Sequence, residues 1–155
     1  MKRPFKIVLH EPEIPQNTGS IGRLCLSTQS ELHLIEPLGF ELTDKYLKRA
    51  GLDYWQYINL KQHKNFESFL EQVEDKDKLV FFSKKSGTTH FEYSFQQGSY
   101  LVFGKETAGL PDWILEQFPD QIVRIPMVDA RVRSLNLAMA TGIGLYEAIR
   151  QNTKI

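Results

Sequence analysis

Short apolar runs separated by stretches of helical spacing set the architecture of this chain. Residues 5–10 (FKIVLH), 31–35 (ELHLI), 79–82 (LVFF), 100–103 (YLVF) and 121–125 (QIVRI) have the length and composition of buried strands. Pro12 and Pro15 end the first run, Pro37 follows the second, and Gly104 closes the fourth. Between them, Thr18, Ile21, Leu24 and Cys25 place apolar groups on one side of a helix. Residues 44–50 before Gly51 read as a second helix, and Phe66, Phe69, Leu70 and Val73 have the spacing of a third. Pro111 opens a short helix to Phe118, and a long one covers residues 135–151. Strands alternating with helices predict an α/β fold with a mainly parallel sheet flanked by helices. Such sheets bind ligands at the carboxyl ends of their strands.

A chain of 155 residues fits one domain, residues 1–155, with a real core. Its 41% hydrophobic and 25% charged residues exclude a disordered or fibrous chain. The single cysteine, Cys25, excludes a disulfide framework within one chain and fits a reducing compartment. No long apolar stretch follows the basic start at Lys2, Arg3 and Lys6, so neither a signal peptide nor a membrane span is expected, and the expected location is cytoplasmic. Nineteen basic residues balance nineteen acidic ones, so any nucleic-acid binding must come from a local patch.

Several chemistries find no support. A phosphate-binding G-x-x-x-x-G-K-[ST] loop and an early G-x-G-x-x-G are both absent, which argues against P-loop hydrolases and Rossmann dinucleotide sites. Gly142 and Gly144 fall inside the last predicted helix, where small residues let another backbone approach, with a ligand role as the alternative. His10, His33, His63 and His90 have no ligand-like spacing, so no metal is expected. Cys25 lies in an apolar stripe and reads as a small buried hydrophobe. No Ser-His-Asp arrangement follows from local spacing.

Three segments carry chemistry instead. Residues 11–24 (EPEIPQNTGSIGRL) set Asn17 at the mouth of a helix that carries Arg23, with helix capping and a solvated charge as the plain alternatives. Residues 101–111 (LVFGKETAGLP) run from a strand into Gly104, then a tight loop with Glu106, Gly109 and Pro111. Gly104 either admits a ligand close to the backbone or simply shapes the turn. Residues 125–140 (IPMVDARVRSLNLAMA) lead to Ser134, a suitable helix cap, with Asn136 facing the same cleft.

Together these segments resemble the three motifs of the SPOUT methyltransferases. Residues 15–23 (PQNTGSIGR) match an N-P-Q-N-T-G-N-I-x-R type opening. Gly104, Glu106, Gly109, Leu110 and Pro111 match the G-x-E-x-x-G-L-P turn, and Ile125-Pro126-Met127 with Ser134-Leu135-Asn136 match the I-P-M … S-L-N run. The similarity extends through IEPLGF (residues 35–40) and KRAGLDYW (residues 48–55), and within the family is nearest to the enzymes that methylate the tRNA wobble nucleotide. Ala138 departs from the pattern, since many relatives carry serine there.

The resemblance implies a sheet ending in a deep C-terminal trefoil knot and S-adenosyl-L-methionine as cofactor. It implies methyl transfer to the ribose 2'-hydroxyl of a wobble cytidine or modified uridine in leucine tRNA, bound through its anticodon stem-loop. It places the cofactor against Phe82, Gly104, Ile125, Ser134 and Leu135. Arg23 is the implied catalytic residue; because arginine stays protonated, it is expected to bind phosphate and stabilise the forming alkoxide. Asn17, Glu106 and Asn136 are expected to orient Arg23 and the ribose. A homodimer through the last helix is expected, with Gly142 and Gly144 permitting close packing. Lys45, Lys48, Arg49, Lys84, Lys85, Arg131 and Arg133 are candidate phosphate contacts. The alternatives are the same chemistry on another tRNA position or on ribosomal RNA, a non-enzymatic RNA-binding assembly factor, or a small-molecule α/β enzyme.

Overall fold

The computed structural model describes residues 4–153, so Lys2 and Arg3 lie outside the described residues. Six strands form one sheet: β1 (Lys6–His10), β2 (Glu31–Ile35), β3 (Leu60–His63), β4 (Leu79–Phe82), β5 (Tyr100–Phe103) and β6 (Ile122–Val123). Their order is β3-β2-β1-β5-β4-β6, and each pairing between them is parallel. The helices are α1 (Pro15–Ser27), α2 (Lys45–Gly51), α3 (Phe66–Glu71), α4 (Asp112–Leu115) and α5 (Leu137–Asn152). Parallel register brings the carboxyl ends of β1, β5, β4 and β6 to one edge.

Alternation along each strand divides the apolar residues between the two faces. Ile7, Leu9, Leu32, Leu34, Val80, Phe82, Leu101 and Phe103 form one cluster with Ile21 and Cys25 of α1 and Leu145 of α5. Val8, Ile35, Phe81 and Val102 form the other, with Phe66 and Phe69 of α3 and Ile114 of α4. Each fully buried large side chain contributes about 1.5–3 kcal/mol. Cys25 is a fully buried member of the first core, and burial pushes its thiol up to about 12, as expected of an inert hydrophobe.

Several boundaries differ from expectation. α1 begins at Pro15, three residues before Thr18, so Asn17 lies within its first turn and does not cap it. Pro15 suits that start, having no N–H to satisfy. Strand β3 was not expected, because Lys61 and Gln62 face solvent on an edge strand and interrupt any apolar run. The last strand is only Ile122–Val123, extended by a bridge between Thr89 and Arg124. Asn136, not Ser134, caps α5: its side-chain oxygen accepts from the N–H groups of Ala138 and Met139 at 2.9 and 3.2 Å.

Gly144 does not open the last helix to a second backbone. A Cβ there would lie 2.7 Å from the Phe82 ring, so this glycine makes room for Phe82 within its own chain. At Gly142 the nearest atom would be the Leu24 side chain at 3.9 Å.

Candidate active site

The loops that follow β4, β5 and β6 meet the start of α1 around a cavity of about 650 Å³. Phe82, Gly104, Ile125, Ser134 and Leu135, the five residues expected around a cofactor, all line it, as do Asn17, Glu106 and Asn136. Phe82 stacks on Phe103 with ring centres 4.5 Å apart, and Gly144 behind them leaves no slack for the ring to retreat. Phe103 also lines the cavity and was missed by sequence reasoning, although it is the last residue of a legible apolar run. Lys105 and Thr107 line it too, and nothing in the sequence sets them apart from surface residues.

Glu106 organises the polar side of this cavity. Its carboxylate accepts from the N–H groups of Glu13 at 2.9 Å and Ile14 at 2.8 Å, and from the Asn17 amide at 3.2 Å. The Asn17 carbonyl accepts from the Asn136 amide at 3.2 Å. One continuous chain of hydrogen bonds thus joins the start of α1 to the cap of α5. The clamp is reciprocal: Glu13 accepts from the Thr107 N–H and hydroxyl at 3.0 and 2.7 Å, which hold its carboxyl below the usual range. Lys105 pairs with Glu11 at 3.3 Å. Glu11 itself adopts φ 53, a left-handed conformation that costs about 1–3 kcal/mol unless its surroundings fix it. Its N–H bond to the Ile35 carbonyl at 2.9 Å and its ion pair do so.

The glycine turn is needed for its own folding. A Cβ on Gly104 would overlap the Gly109 carbonyl carbon and the Leu110 nitrogen. Gly109 adopts φ +69, the left-handed region open to glycine, and its N–H bonds the Lys105 carbonyl at 2.9 Å. Of the two readings of Gly104, the geometry supports the shaping of the turn.

Arg23 stands apart from this network. Six residues separate it from Asn17, which in an α-helix is about 9 Å of rise and a different face. Its side chain is exposed, lies 5.6 Å from the Tyr54 ring, and makes no hydrogen bond or ion pair among the described residues. Hence Asn17, Glu106 and Asn136 orient one another and two helix starts, without contact to Arg23. Among the candidate phosphate contacts, Lys84, Lys85 and Arg133 line the cavity. Arg131 is engaged by Asp129, and Lys45 and Arg49 lie beside the Tyr46 ring on α2, with Lys48 exposed nearby.

The four histidines are all buried, and two of them meet. His33 Nδ1 lies 2.8 Å from His63 Nε2, and His33 Nε2 lies 3.1 Å from Glu31. With Glu31 ionised, His33 donates to it through Nε2 and accepts from His63 through Nδ1, leaving His63 Nδ1 as the bare acceptor without a partner. No group of three or more His, Cys, Asp or Glu able to hold a metal occurs among the described residues. Burial lowers the proton affinity of His10, His33, His63 and His90 below 6.5, taking His33 to about 4. The unfolded chain therefore binds protons that the fold refuses. The histidines' contribution to stability is fully present above about 6.5 and is lost as pH drops below that value, by up to about 1.4 kcal/mol per pH unit for each histidine. A melting temperature that declines from pH 7 to pH 5 is the expected result; a flat profile over that range would contradict it.

The SpoU rRNA Methylase family matches residues 4–146 of this chain. The tRNA (cytidine(34)-2'-O)-methyltransferase of Saccharophagus degradans is 51% identical over 148 residues, covering 95% of both chains. A solved structure concerned with 2-OH methylation of C/U34 on tRNA superposes with a TM-score of 0.92 at 44% identity, covering 97% of each chain. The SpoU methyltransferase AviRb from Streptomyces viridochromogenes, solved in complex with the cofactor AdoMet, has a TM-score of 0.85 at 25% identity, covering 98% of this chain and 59% of that one. With most of its length matched by the family and by a curated relative at about half identity, this chain belongs to the SpoU methylase family.

Proposed function

We propose that this protein transfers a methyl group from S-adenosyl-L-methionine to the ribose 2'-hydroxyl of nucleotide 34 in a tRNA, with leucine tRNA as the substrate. The observation that carries the reading is the single cavity in which the three motif loops converge on the Glu106–Asn17–Asn136 chain. Its volume suits a nucleoside-sized ligand, and its apolar walls suit an adenine ring whose edge is read by loop backbone. When bound, S-adenosyl-L-methionine supplies an already activated sulfonium methyl.

The chain's residues then have three tasks. Phe82, Ile125 and Leu135 exclude water from the cofactor slot. Asn17 and Asn136, held by Glu106 and by the start of α5, orient the ribose. The guanidinium of Arg23 favours the negative charge that develops on the 2'-oxygen.

Arg23 faces away from the cavity of its own chain, so it acts through an RNA that spans both or through a second copy. The exposed apolar stripe of Met139, Ile143 and Tyr146 on α5 supports a homodimer through that helix. The deep knot finds support in the topology: β4 lies between β5 and β6, and α5 packs back on α1 and β5. Residues 1–155 act as one methyltransferase domain. A tRNA substrate places the enzyme in the cytoplasm; no helix among the described residues is long and apolar enough to cross a membrane.

Labelled S-adenosyl-L-methionine with bulk tRNA, followed by nucleotide mapping, tests the reading. A 2'-O-methyl group at nucleotide 34 of leucine tRNA supports it, and transfer to another tRNA or to ribosomal RNA replaces the substrate. Arg23→Ala is expected to lose about 100-fold or more in turnover, the scale of one lost oxyanion contact, with cofactor affinity retained. Near-normal turnover would remove Arg23 from the mechanism.

A further inference from the structure

Trp113 lies three residues beyond Leu110 of the cavity lining and has no part in the chemistry above. It lies on α4, directly after the Leu110–Pro111 bend, and 47% of its surface is exposed. Its neighbours Ile114 and Leu115 are buried, so α4 already has its core anchors. The ring is nonetheless fixed. It meets Phe66 at 5.7 Å and 83°, and His10 at 6.3 Å and 76°, both buried side chains.

Two further links tie the ring to the cavity. His10 Nε2 lies 3.5 Å from Glu11, which pairs with the cavity residue Lys105. On the other side, Asp112 holds the cavity residue Lys85. Lys84 and Arg133 line the same cavity, are exposed, and form no ion pair among the described residues. A rigid, half-open aromatic surface, linked through these contacts to a cavity that carries uncompensated cations, suits a polyanion with exposed base faces.

We propose that Trp113 is a stacking platform for an unpaired base that flanks the nucleotide entering the cavity, with Lys84 and Arg133 on the adjacent phosphates. This rests on the functional reading above, because it takes RNA as the substrate. Every base has a π-face, so stacking selects an unpaired loop without fixing its sequence. Within a duplex those faces are covered by neighbouring pairs, and the platform has nothing to grip.

The chain contains two tryptophans, so Trp55→Phe leaves Trp113 as the only one and its fluorescence as a direct probe. A tRNA anticodon stem-loop is expected to quench that emission, and a fully paired duplex of equal length is not. In steady-state kinetics, Trp113→Phe keeps an aromatic face and stays near the wild-type KM for tRNA. Trp113→Leu keeps an apolar contact but no stacking face, and raises that KM about 10-fold, the scale of one base–aromatic contact. Equal quenching by duplex and stem-loop, or a wild-type KM in Trp113→Leu, would overturn the proposal. So would a rise in cofactor Kd of the same size in both variants, which would mark a structural role. Should Trp113→Leu fail to fold, the fluorescence comparison decides. A wild-type protein that methylates no RNA would bring down the functional reading, and the platform with it.

Discussion

Gly104→Ala is expected to abolish cofactor binding while leaving most of the sheet folded. The added Cβ meets backbone atoms of Gly109 and Leu110, which no rotamer change can move aside. Overpacking against yielding side chains costs about 1–3 kcal/mol; a backbone obstacle places this substitution at or above that upper end. The turn can escape only by opening, and opening separates Lys105 from Gly109 and withdraws Glu106 from Glu13 and Ile14. The loss therefore falls on the cavity more than on the core, since β5 ends at Phe103 with its register to β1 and β4 set earlier. Isothermal titration with S-adenosyl-L-methionine should show at least about a 100-fold weaker Kd, equivalent to about 3 kcal/mol. Far-ultraviolet circular dichroism should stay close to wild type. Cofactor binding within a few-fold of wild type would mean that the turn tolerates a side chain, against the geometry.

How much of this was legible in the sequence depends on how local each cause is. Strands β2, β4 and β5 match their expected limits, because apolar runs on buried central strands mark their own ends. β3 was illegible for the opposite reason: its exposed Lys61 and Gln62 remove the apolar signal while its hydrogen bonds to β2 remain. The start of α1 was misplaced because its first donors are satisfied by Glu106, which is 92 and 93 residues distant from Ile14 and Glu13. Ser134 and Asn136 are both good caps by residue type, and only the backbone at the helix start separates them. The site residues emerged from motifs, and the structure brings eight of the nine together around the cavity. Arg23 is the exception, since helical rise and rotation alone carry it off that face. Contact between His33 and His63 was equally hidden, being produced by the pairing of β2 with β3 across 30 residues.

Glu106→Ala and Glu106→Gln should separate two roles that one carboxylate at such a site can hold. Its oxygens already accept three N–H groups, from Glu13, Ile14 and Asn17, so it acts as an organiser of two helix starts and not as the proton acceptor. Alanine leaves those donors to water. Because the contacts are partly exposed, the stability loss is set at about 2 kcal/mol, near one charged hydrogen bond, and not at three times that. Activity should fall further, by about 100-fold, because misplacing a reacting group by about 1 Å has that effect. Glutamine keeps one acceptor oxygen but turns an amide toward a backbone N–H, so it should fall between alanine and wild type in both melting temperature and turnover. The two quantities should move together across the series if Glu106 works by holding Asn17 and the α1 start. A catalytic base would give a different pattern: Glu106→Gln would preserve the melting temperature and eliminate turnover. Measuring both properties on the same three proteins therefore distinguishes positioning from proton transfer, and retained turnover in Glu106→Ala would exclude either role.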